Sequence, residues 1–399
     1  MFLEGDGGCS RMVPGLPPIF SPFRSPIQLL YAWKIVKHFY QTLLMKQRLL
    51  SLDFFRGLTV AGMILVNNPG DWGHIYAPLE HSKWNGCTPT DLVFPFFLFM
   101  VGVSVTFALS NRNADTTGHK KLIIHIIRRA LIIFLLGMAL NLIGRFEFNT
   151  LRIPGVLTRI ALVFLVISLI YIKTTPATRV WLCFSFLVIY YLLMTVVPVP
   201  GFGPANLEPA TNLGAWLDRT LLTENHLWRT SRTWDPEGIL STLPALSTGL
   251  LGIMTGDWLR RKDKPEAEKV AWLFAAGFLS VIAGLIWDGF FPINKALWTS
   301  SFVLFTGGLA AMSLALCYWL IDVQGYKGIT PPFVAFGRNA ITAYVLSGII
   351  PRFLHGAHAA LFVPYLSPLN ASLAAAIFLV LLILIPIWIM YKRNIIVKI

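Results

Sequence analysis

Long apolar stretches constrain the fold of this chain more than any other feature of its sequence. From Leu52 onward, apolar runs of roughly 17 to 24 residues alternate with shorter polar segments, and a helix needs about 20 apolar residues to cross a bilayer. Only 13% of the residues are charged, about half the share in soluble proteins. Because the short alternating segments of a membrane β-barrel are absent, the sequence predicts an all-α, polytopic membrane helix bundle.

Ten apolar runs qualify as predicted transmembrane helices. The first run is short and carries Arg56, so hydropathy supports it least. The predicted spans cover residues 52–68, 91–110, 122–143, 154–172, 180–197, 239–257, 270–288, 297–320, 331–350 and 369–390.

The distribution of Lys and Arg predicts that both termini are cytoplasmic, because cytoplasmic loops carry an excess of these residues. One set of connecting segments holds 16 Lys and Arg in 55 residues, and the alternate set holds 8 in 99. The first set is 46–51, 111–121, 173–179, 258–269, 321–330 and 391–399, and the second is 69–90, 144–153, 198–238, 289–296 and 351–368. The loop 69–90 is therefore expected on the extracytoplasmic side.

Residues 1–45 differ in composition from the rest of the chain. They are rich in Gly and Pro at first and then weakly amphipathic. We expect an N-terminal extension over 1–45, either disordered, a surface helix or a mis-assigned start, followed by one membrane domain over 46–399.

Charge and cysteine content exclude two classes of function. The net charge of +14 comes from basic residues in short loops between apolar runs, whereas a nucleic-acid-binding protein collects them on one soluble face. The cysteines, Cys9, Cys87, Cys183 and Cys317, are far apart and show no disulfide or metal spacing. We therefore expect no nucleic-acid partner and no metal.

The segment 67–102 carries the strongest sign of chemistry. His81 and Trp84-Asn85-Gly86 lie in a polar loop, and Asp91 follows at the start of an apolar run. Histidine transfers protons near neutral pH, and a carboxylate can hold one imidazole nitrogen so that the other acts as a base. The alternative interpretations are a solvated loop histidine and an aspartate that only caps the incoming helix.

Arginines near the cytoplasmic side of the predicted spans indicate an anionic cofactor. Arg56 follows Asp53 by three residues in the first span, and Arg338 lies about two turns into the ninth span, beside Asn339. Guanidinium groups match phosphate oxygens bidentately. A structural ion pair with a snorkelling arginine is the alternative for Arg56.

Further polar residues lie near the outer ends of the spans. Asn67 ends the first span, where it would bind a sugar hydroxyl or cap the helix. Arg159, inside the fourth span, needs a partner or a water-filled cavity. Asn294-Lys295 precedes Trp298 at the outer end of the eighth span, where an interfacial tryptophan is ordinary.

Seven stretches lie in order along the chain from Arg48 onward. They are RLLSLDFFRGLTVAGMILVN, HSKWNG, TPTDLVFPFFLFMVGVS, RIPGVLTRIAL, WDPEGILSTLPA, FPINKALWTSSFVL and FGRNAITAY. Together they resemble the transmembrane acyltransferase family that includes heparan-α-glucosaminide N-acetyltransferase. The LDxxRG stretch is unspecific by itself, whereas HSxWNG followed by DLVFPFF is specific.

The resemblance implies acetyl transfer across a membrane. Acetyl-CoA would bind from the cytoplasm, and its acetyl group would reach the amine of a glucosamine-type or other glycan acceptor on the far side. The resemblance places the catalytic histidine at His81, with Asn67 and Asp91 as its partners. Compact relatives of this kind are bacterial, so we expect the inner (cytoplasmic) membrane, with the site facing the periplasm or exterior. A homodimer is compatible with the resemblance.

Residues and resemblance together give the expected site. Arg56, Arg338 and Asn339 are expected to bind the cofactor. The residues expected around the acceptor are Trp84, Asn85, Arg159 and Asn294. Both direct transfer, with His81 as general base, and a two-step route through an acetyl-imidazole remain open.

Two other functions fit parts of the sequence. A transporter for an amino sugar or related solute would also have ten spans and intramembrane arginines, although it has no stated need for HSxWNG with Asp91. Acyl modification of a surface glycan or lipid by a different membrane acyltransferase would require another histidine motif, which the sequence lacks.

Overall fold

The computed structural model describes residues 49–113, 119–143, 146–354 and 357–397. The predicted extension over 1–45 lies outside these residues. The helices are α1 (Leu50–Asn67), α2 (Val93–Asn113), α3 (His119–Leu142), α4 (Val156–Lys173), α5 (Pro176–Val196), α6 (Leu213–Leu222), α7 (Thr242–Leu259), α8 (Glu266–Asp288), α9 (Ser300–Tyr318), α10 (Thr330–Arg338), α11 (Ala340–Leu354), α12 (Ala357–Ala360) and α13 (Pro368–Lys392). Every longer regular element in these ranges is helical, which confirms the predicted all-α class.

Each of the ten predicted spans coincides with a helix or a helix pair. In the described ranges, eight helices are long and apolar enough to cross a membrane, and α10 with α11 adds a ninth if the pair is one span. Helix α7 lies within most of the predicted span 239–257 and is rich in Thr, Ser and Gly, and it is not one of the eight. Most of α7 is buried inside the bundle, where small residues favour close helix packing.

The predicted span 331–350 is bent rather than straight. Helices α10 and α11 meet at an angle of 86°, and Asn339 lies between them with a non-helical backbone. The side chain of Asn339 bonds the C-terminal segment, donating to the Ile395 carbonyl at 3.0 Å and accepting from the Val397 amide at 3.1 Å. Hydropathy depends on the apolar character of such a segment but not on its direction, so the bend was not predictable from it.

Some of the helix crossings are close enough to require glycine, and two of them bear on the site. A Cβ atom on Gly102 of α2 would overlap the Gly249 carbonyl of α7, and one on Gly57 of α1 would overlap the Phe333 carbonyl of α10. Small residues allow helix backbones to approach in this way inside a membrane. The second crossing also sets Arg56 beside the end of α10.

The outward faces of the peripheral helices are apolar. Large exposed side chains include Leu131 on α3, Trp181 on α5, Leu279 on α8 and Ile385 on α13. Soluble monomers rarely expose so extended an apolar surface. Together with the helix lengths, this surface identifies an integral membrane protein. The side on which the termini lie stays a prediction.

Candidate active site

The loop that carries His81 is fastened to the loop between α8 and α9. The Gly86 amide donates to the Ile293 carbonyl at 2.7 Å, and Gly86 pairs with Asn294 in an isolated parallel bridge. The buried Asn294 side chain donates to Asn85 at 3.1 Å and accepts from the Leu297 amide at 2.9 Å. These bonds bring two distant stretches of sequence to one place at the end of the bundle.

Asp91 is completely buried, and its two carboxylate oxygens have different partners. The Oδ2 atom accepts from the backbone amides of Ser82 and Thr88 and from the Thr88 hydroxyl, each at 3.0 Å. The Thr88 bonds are part of a capping box on the turn Pro89–Leu92, which leads into α2. The capping role of Asp91 is therefore real, and it leaves Oδ1 for another partner.

His81 lies against that second oxygen. Its Nδ1 atom is 2.7 Å from Asp91 Oδ1, and an ionised carboxylate can only accept a hydrogen bond. Nδ1 must then carry the proton, which leaves a lone pair on Nε2. Because 40% of the His81 side chain is exposed, an imidazole held in this way can act as a base, and that role stays a prediction here.

Lys295 is a third member of the cluster, and the sequence analysis did not assign it a role. Its Nζ atom lies 2.9 Å from His81 Nδ1, 3.4 Å from His81 Nε2 and 3.4 Å from Asp91 Oδ1. Burial lowers the pKa of Lys295, and the Asp91 carboxylate opposes that shift. In the sequence, Lys295 stands out only because it follows Asn294 in the stretch FPINKALWTSSFVL. The sequence does not indicate that residue 295 lies near residue 81.

Cys87 is also near this cluster but is unsuited to act as a nucleophile. Burial and the Asp91 carboxylate raise the pKa of its thiol to about 12. The reactive form of cysteine is the thiolate. At neutral pH the Cys87 side chain is therefore an unreactive thiol.

Aromatic residues form one wall beside the loop. The Trp84 indole donates to the Leu207 carbonyl at 3.0 Å and packs edge-on against Trp234, with ring centroids 5.1 Å apart. Trp228 packs against Trp234 in the same manner. Indole faces of this kind suit the apolar face of a sugar ring, and contact of Trp84 or Asn85 with an acceptor stays a prediction.

Asn67 and Arg159 are not joined to His81 by any hydrogen bond of the described residues. Asn67 is exposed at the end of α1, and it is Asn68 that caps the helix by donating to the Ile64 carbonyl at 2.9 Å. Arg159 is fully buried, donates to the Gly238 carbonyl and to the Ser241 hydroxyl, and lies 5.2 Å from the Trp298 ring centroid. Their roles at the site stay predictions.

The segments around residues 152 and 235 are joined by ion pairs. Arg152 donates to both carboxylate oxygens of Asp235, at 2.8 and 2.6 Å, and to Glu237 at 2.6 Å. Such a bidentate pair fixes geometry as well as adding energy. Asp235 and Glu237 thus anchor the loop that precedes α7.

A cavity of about 250 Å³ lies inside the bundle and is lined by three arginines, Arg56, Arg129 and Arg338. On α2 its lining extends from Phe97 to Leu109, which is on the order of 18 Å along a helix axis. The remaining wall is mostly apolar and comes from α1, α3, α4, α11 and the C-terminal segment. The cavity is therefore elongated, and Arg56 bonds Ser104, seven positions beyond Phe97 on α2.

The three guanidinium groups are held in different ways. Arg56 donates to the Ser104 hydroxyl at 2.6 Å and to the Gly337 carbonyl at 3.2 Å. Arg338 lies 3.9 Å from Asp53 and over the ring of Tyr391.

Arg129 lies over the Phe164 ring at 5.0 Å, and its buried Nε has no hydrogen-bond partner in the described residues. Arg129 could not be recognised as a cavity residue from the sequence, because its helix contains several basic residues.

Asn339 also lines this cavity. Its amide already holds the C-terminal segment, whose Ile396 and Val397 complete the wall. Direct contact of Asn339 with a cofactor stays a prediction. For metals, the described ranges contain no group of three or more His, Cys, Asp and Glu side chains that could hold an ion.

Comparison with known proteins gives two family matches. Residues 48–286 match the family described as "Heparan-alpha-glucosaminide N-acetyltransferase, catalytic", and residues 253–394 match "Protein of unknown function (DUF418)". Two curated relatives are named heparan-alpha-glucosaminide N-acetyltransferase. The mouse protein is 30% identical over 358 residues, covering 77% of this chain and 54% of its own, and the human protein is 30% identical over 351 residues, covering 75% and 52%. The chain thus spans about half the length of these relatives.

Proposed function

Because the chain belongs to the heparan-alpha-glucosaminide N-acetyltransferase catalytic family, we propose that it is a membrane-embedded acetyltransferase. It moves an acetyl group from cytoplasmic acetyl-CoA to the amine of a glucosamine-type acceptor on the extracytoplasmic side. The observation that carries the proposal is the 2.7 Å contact between His81 Nδ1 and the buried Asp91 carboxylate, since it places the ring proton on Nδ1 and leaves the lone pair on Nε2, away from Asp91.

The chemistry needs a proton to leave the acceptor. The nitrogen attacks the thioester carbonyl, a C–N bond forms and the C–S bond breaks, so that coenzyme A leaves as a thiolate. His81 Nε2 takes the proton from nitrogen, Asp91 stabilises the imidazolium that forms, and the thiolate is then protonated. The developing oxyanion needs a hydrogen-bond donor, and Asn67 is the proposed donor. We favour direct transfer over an acetyl-imidazole intermediate, because the amine must lose a proton on either route.

The elongated cavity suits the donor substrate. Coenzyme A carries its phosphates at one end and the thioester at the other, and the cavity combines three arginines with an otherwise mostly apolar wall. The lining reaches Phe97, six positions after Asp91 and about 9 Å along the axis. A chain that runs the length of this cavity would thus bring a thioester toward the His81 loop.

The first test is an assay of detergent-purified protein with labelled acetyl-CoA and glucosamine. Formation of labelled N-acetylglucosamine supports the proposal. The bent pair α10 and α11 favours an amino-sugar transporter as the second candidate, because broken helices line the sites of many transporters. Absence of acetyl transfer, together with uptake of an amino sugar into proteoliposomes, would favour the transporter.

Substitution of a cavity arginine should weaken binding of acetyl-CoA. We expect Arg129→Gln, Arg56→Gln and Arg338→Gln each to raise the Kd for acetyl-CoA by roughly tenfold or more, which corresponds to a lost charge-assisted contact of about 1.5–3 kcal/mol. The KM for glucosamine should change little, since the acceptor approaches from the other side. Calorimetric titration of each folded variant measures the effect.

The neighbouring Arg128 provides a matched control for Arg129. It lies on the same helix, but its side chain is exposed, so Arg128→Gln should leave the Kd for acetyl-CoA unchanged. Equal effects of the two substitutions would mean that the charge of α3 acts nonspecifically. Unchanged affinity in all three cavity variants would place the cofactor elsewhere.

Cysteine labelling tests the proposed orientation. In a variant without the native cysteines, Lys83→Cys should react with a membrane-impermeant thiol reagent on intact cells, and Lys262→Cys only after the membrane is opened. Both side chains are exposed, and the expectation follows from the uneven distribution of Lys and Arg. Reaction of position 262 alone in intact cells would invert the orientation and remove the basis for transfer across the membrane.

A further inference from the structure

An amine of the protein itself lies where the acceptor amine must come. An acceptor nitrogen has to approach His81 to give up its proton, and the Nζ atom of Lys295 is 2.9 and 3.4 Å from the two ring nitrogens. The Lys295 side chain is 19% exposed. Its backbone is fixed by a hydrogen bond from the Trp298 amide to the Lys295 carbonyl at 3.1 Å. This amine is therefore held beside the base.

We propose that Lys295 is an internal acetyl acceptor and that the protein acetylates this side chain from acetyl-CoA when no amino-sugar acceptor is present. The inference rests on the proposed function, because it uses the same donor and the same base. It assigns a modification site and a second, self-directed activity to the cluster.

The reaction balances without any further reactant. The neutral Lys295 amine attacks the thioester carbonyl carbon, a C–N bond forms and the C–S bond breaks. His81 Nε2 takes the proton from nitrogen, and coenzyme A leaves as a thiolate that is then protonated. If the acetyl group first resided on His81, the same amine would attack that acyl carbon and the imidazole would leave. Both routes end in N-acetyl-lysine and the free thiol.

Proximity and protonation state favour this reaction at Lys295. Intramolecular reactants held in contact react as if their concentration were very high. Burial lowers the pKa of Lys295 and so increases the neutral, nucleophilic fraction, although Asp91 counteracts the shift. An acetylated Lys295 would lose its charge and its ion pair with Asp91, and its acetyl group would occupy the approach to His81. The modification should consequently inactivate the protein.

Lys83 offers a control within the same loop. It lies two residues from His81, but its side chain is exposed. A lysine in solvent reacts with acetyl-CoA only by unassisted chemistry, so its rate reports the background. If Lys295 is an internal acceptor, its rate of acetylation should exceed this background rate, and the difference should depend on His81.

The test uses the full-length protein in detergent, incubated with acetyl-CoA alone, and peptide mass spectrometry of residues 83 and 295. We expect Lys295 to be acetylated at least about tenfold faster than Lys83, consistent with a preassociated amine. Added glucosamine should slow the modification of Lys295, and His81→Ala should reduce it to the rate of Lys83. During incubation with acetyl-CoA alone, wild type and Lys83→Arg should lose transfer activity at the same rate. Whatever transfer activity Lys295→Arg has at the start should not fall during this incubation.

The outcomes separate the two proposals. If glucosamine is acetylated but Lys295 is modified no faster than Lys83, the self-acetylation is wrong and the proposed function stands. If Lys295 is modified equally in wild type and His81→Ala, proximity to the base is irrelevant and the inference is overturned. If neither glucosamine nor Lys295 is acetylated, both proposals are wrong.

Discussion

Replacing His81 by alanine is expected to reduce the kcat for acetyl transfer by at least about a hundredfold, the scale of a lost general base. The side chain is partly exposed in a loop, so its removal creates no cavity in the core. The arginine-lined cavity is formed by other elements, and the Kd for acetyl-CoA should stay near that of the wild type. The measurements are the initial rate of N-acetylglucosamine formation and the thermal stability of the purified variant.

The exposed Lys83 in the same loop is the control for this substitution. Lys83→Ala removes a longer side chain two positions away and should keep a kcat close to that of the wild type. A His81→Ala protein that retains more than about a tenth of the wild-type rate would contradict the assignment of His81 as the base. Equal loss in both variants would indicate that the loop conformation, not the imidazole, determines the rate.

Replacing Asp91 by asparagine should lower kcat by about 10² to 10⁴, the cost of losing an orienting carboxylate. The Ser82 and Thr88 amides donate to Oδ2, so the new amide must keep its oxygen there and turn its NH₂ group toward His81. That group donates to Nδ1 and moves the ring proton to Nε2, where the base is needed. The KM for acetyl-CoA should be little affected.

Thr88→Val separates capping from catalysis. It removes a hydroxyl that donates to the Glu80 carbonyl at 2.6 Å and to Asp91 Oδ2 at 3.0 Å but leaves Oδ1 and His81 in place. We expect a loss of about 0.5–1.5 kcal/mol in stability with most of the kcat retained. If Asp91→Asn and Thr88→Val reduce kcat and melting temperature in the same proportion, Asp91 serves the fold alone.

The sequence was sufficient to predict the helices because hydropathy depends on local composition. Every predicted span coincides with a helix or a helix pair, including the short first one with Arg56. Hydropathy identifies helix α7 less clearly. Its Ser, Thr and Gly residues are explained by burial against α2 rather than by contact with lipid. The bend at Asn339 was not predictable, because it depends on bonds to residues 395 and 397, more than fifty positions away.

The site was predictable where its residues are near in sequence. His81 and Asp91 are ten residues apart, and the structure joins them. Lys295 reaches them only because the two loops pair through Gly86 and Asn294, a contact that no spacing or propensity encodes. The same holds for Arg129, whose place in the cavity depends on the packing of α3 against α4.

Sealed proteoliposomes test whether the acetyl group passes from one side of the membrane to the other. Glucosamine is enclosed inside the vesicles, and labelled acetyl-CoA is added only outside, so that protein molecules with the cytoplasmic face outward can use it. We predict labelled N-acetylglucosamine inside the vesicles, none of it with His81→Ala, and little product when both substrates are outside. Product formed only when acetyl-CoA and glucosamine share one side of the membrane would contradict the account.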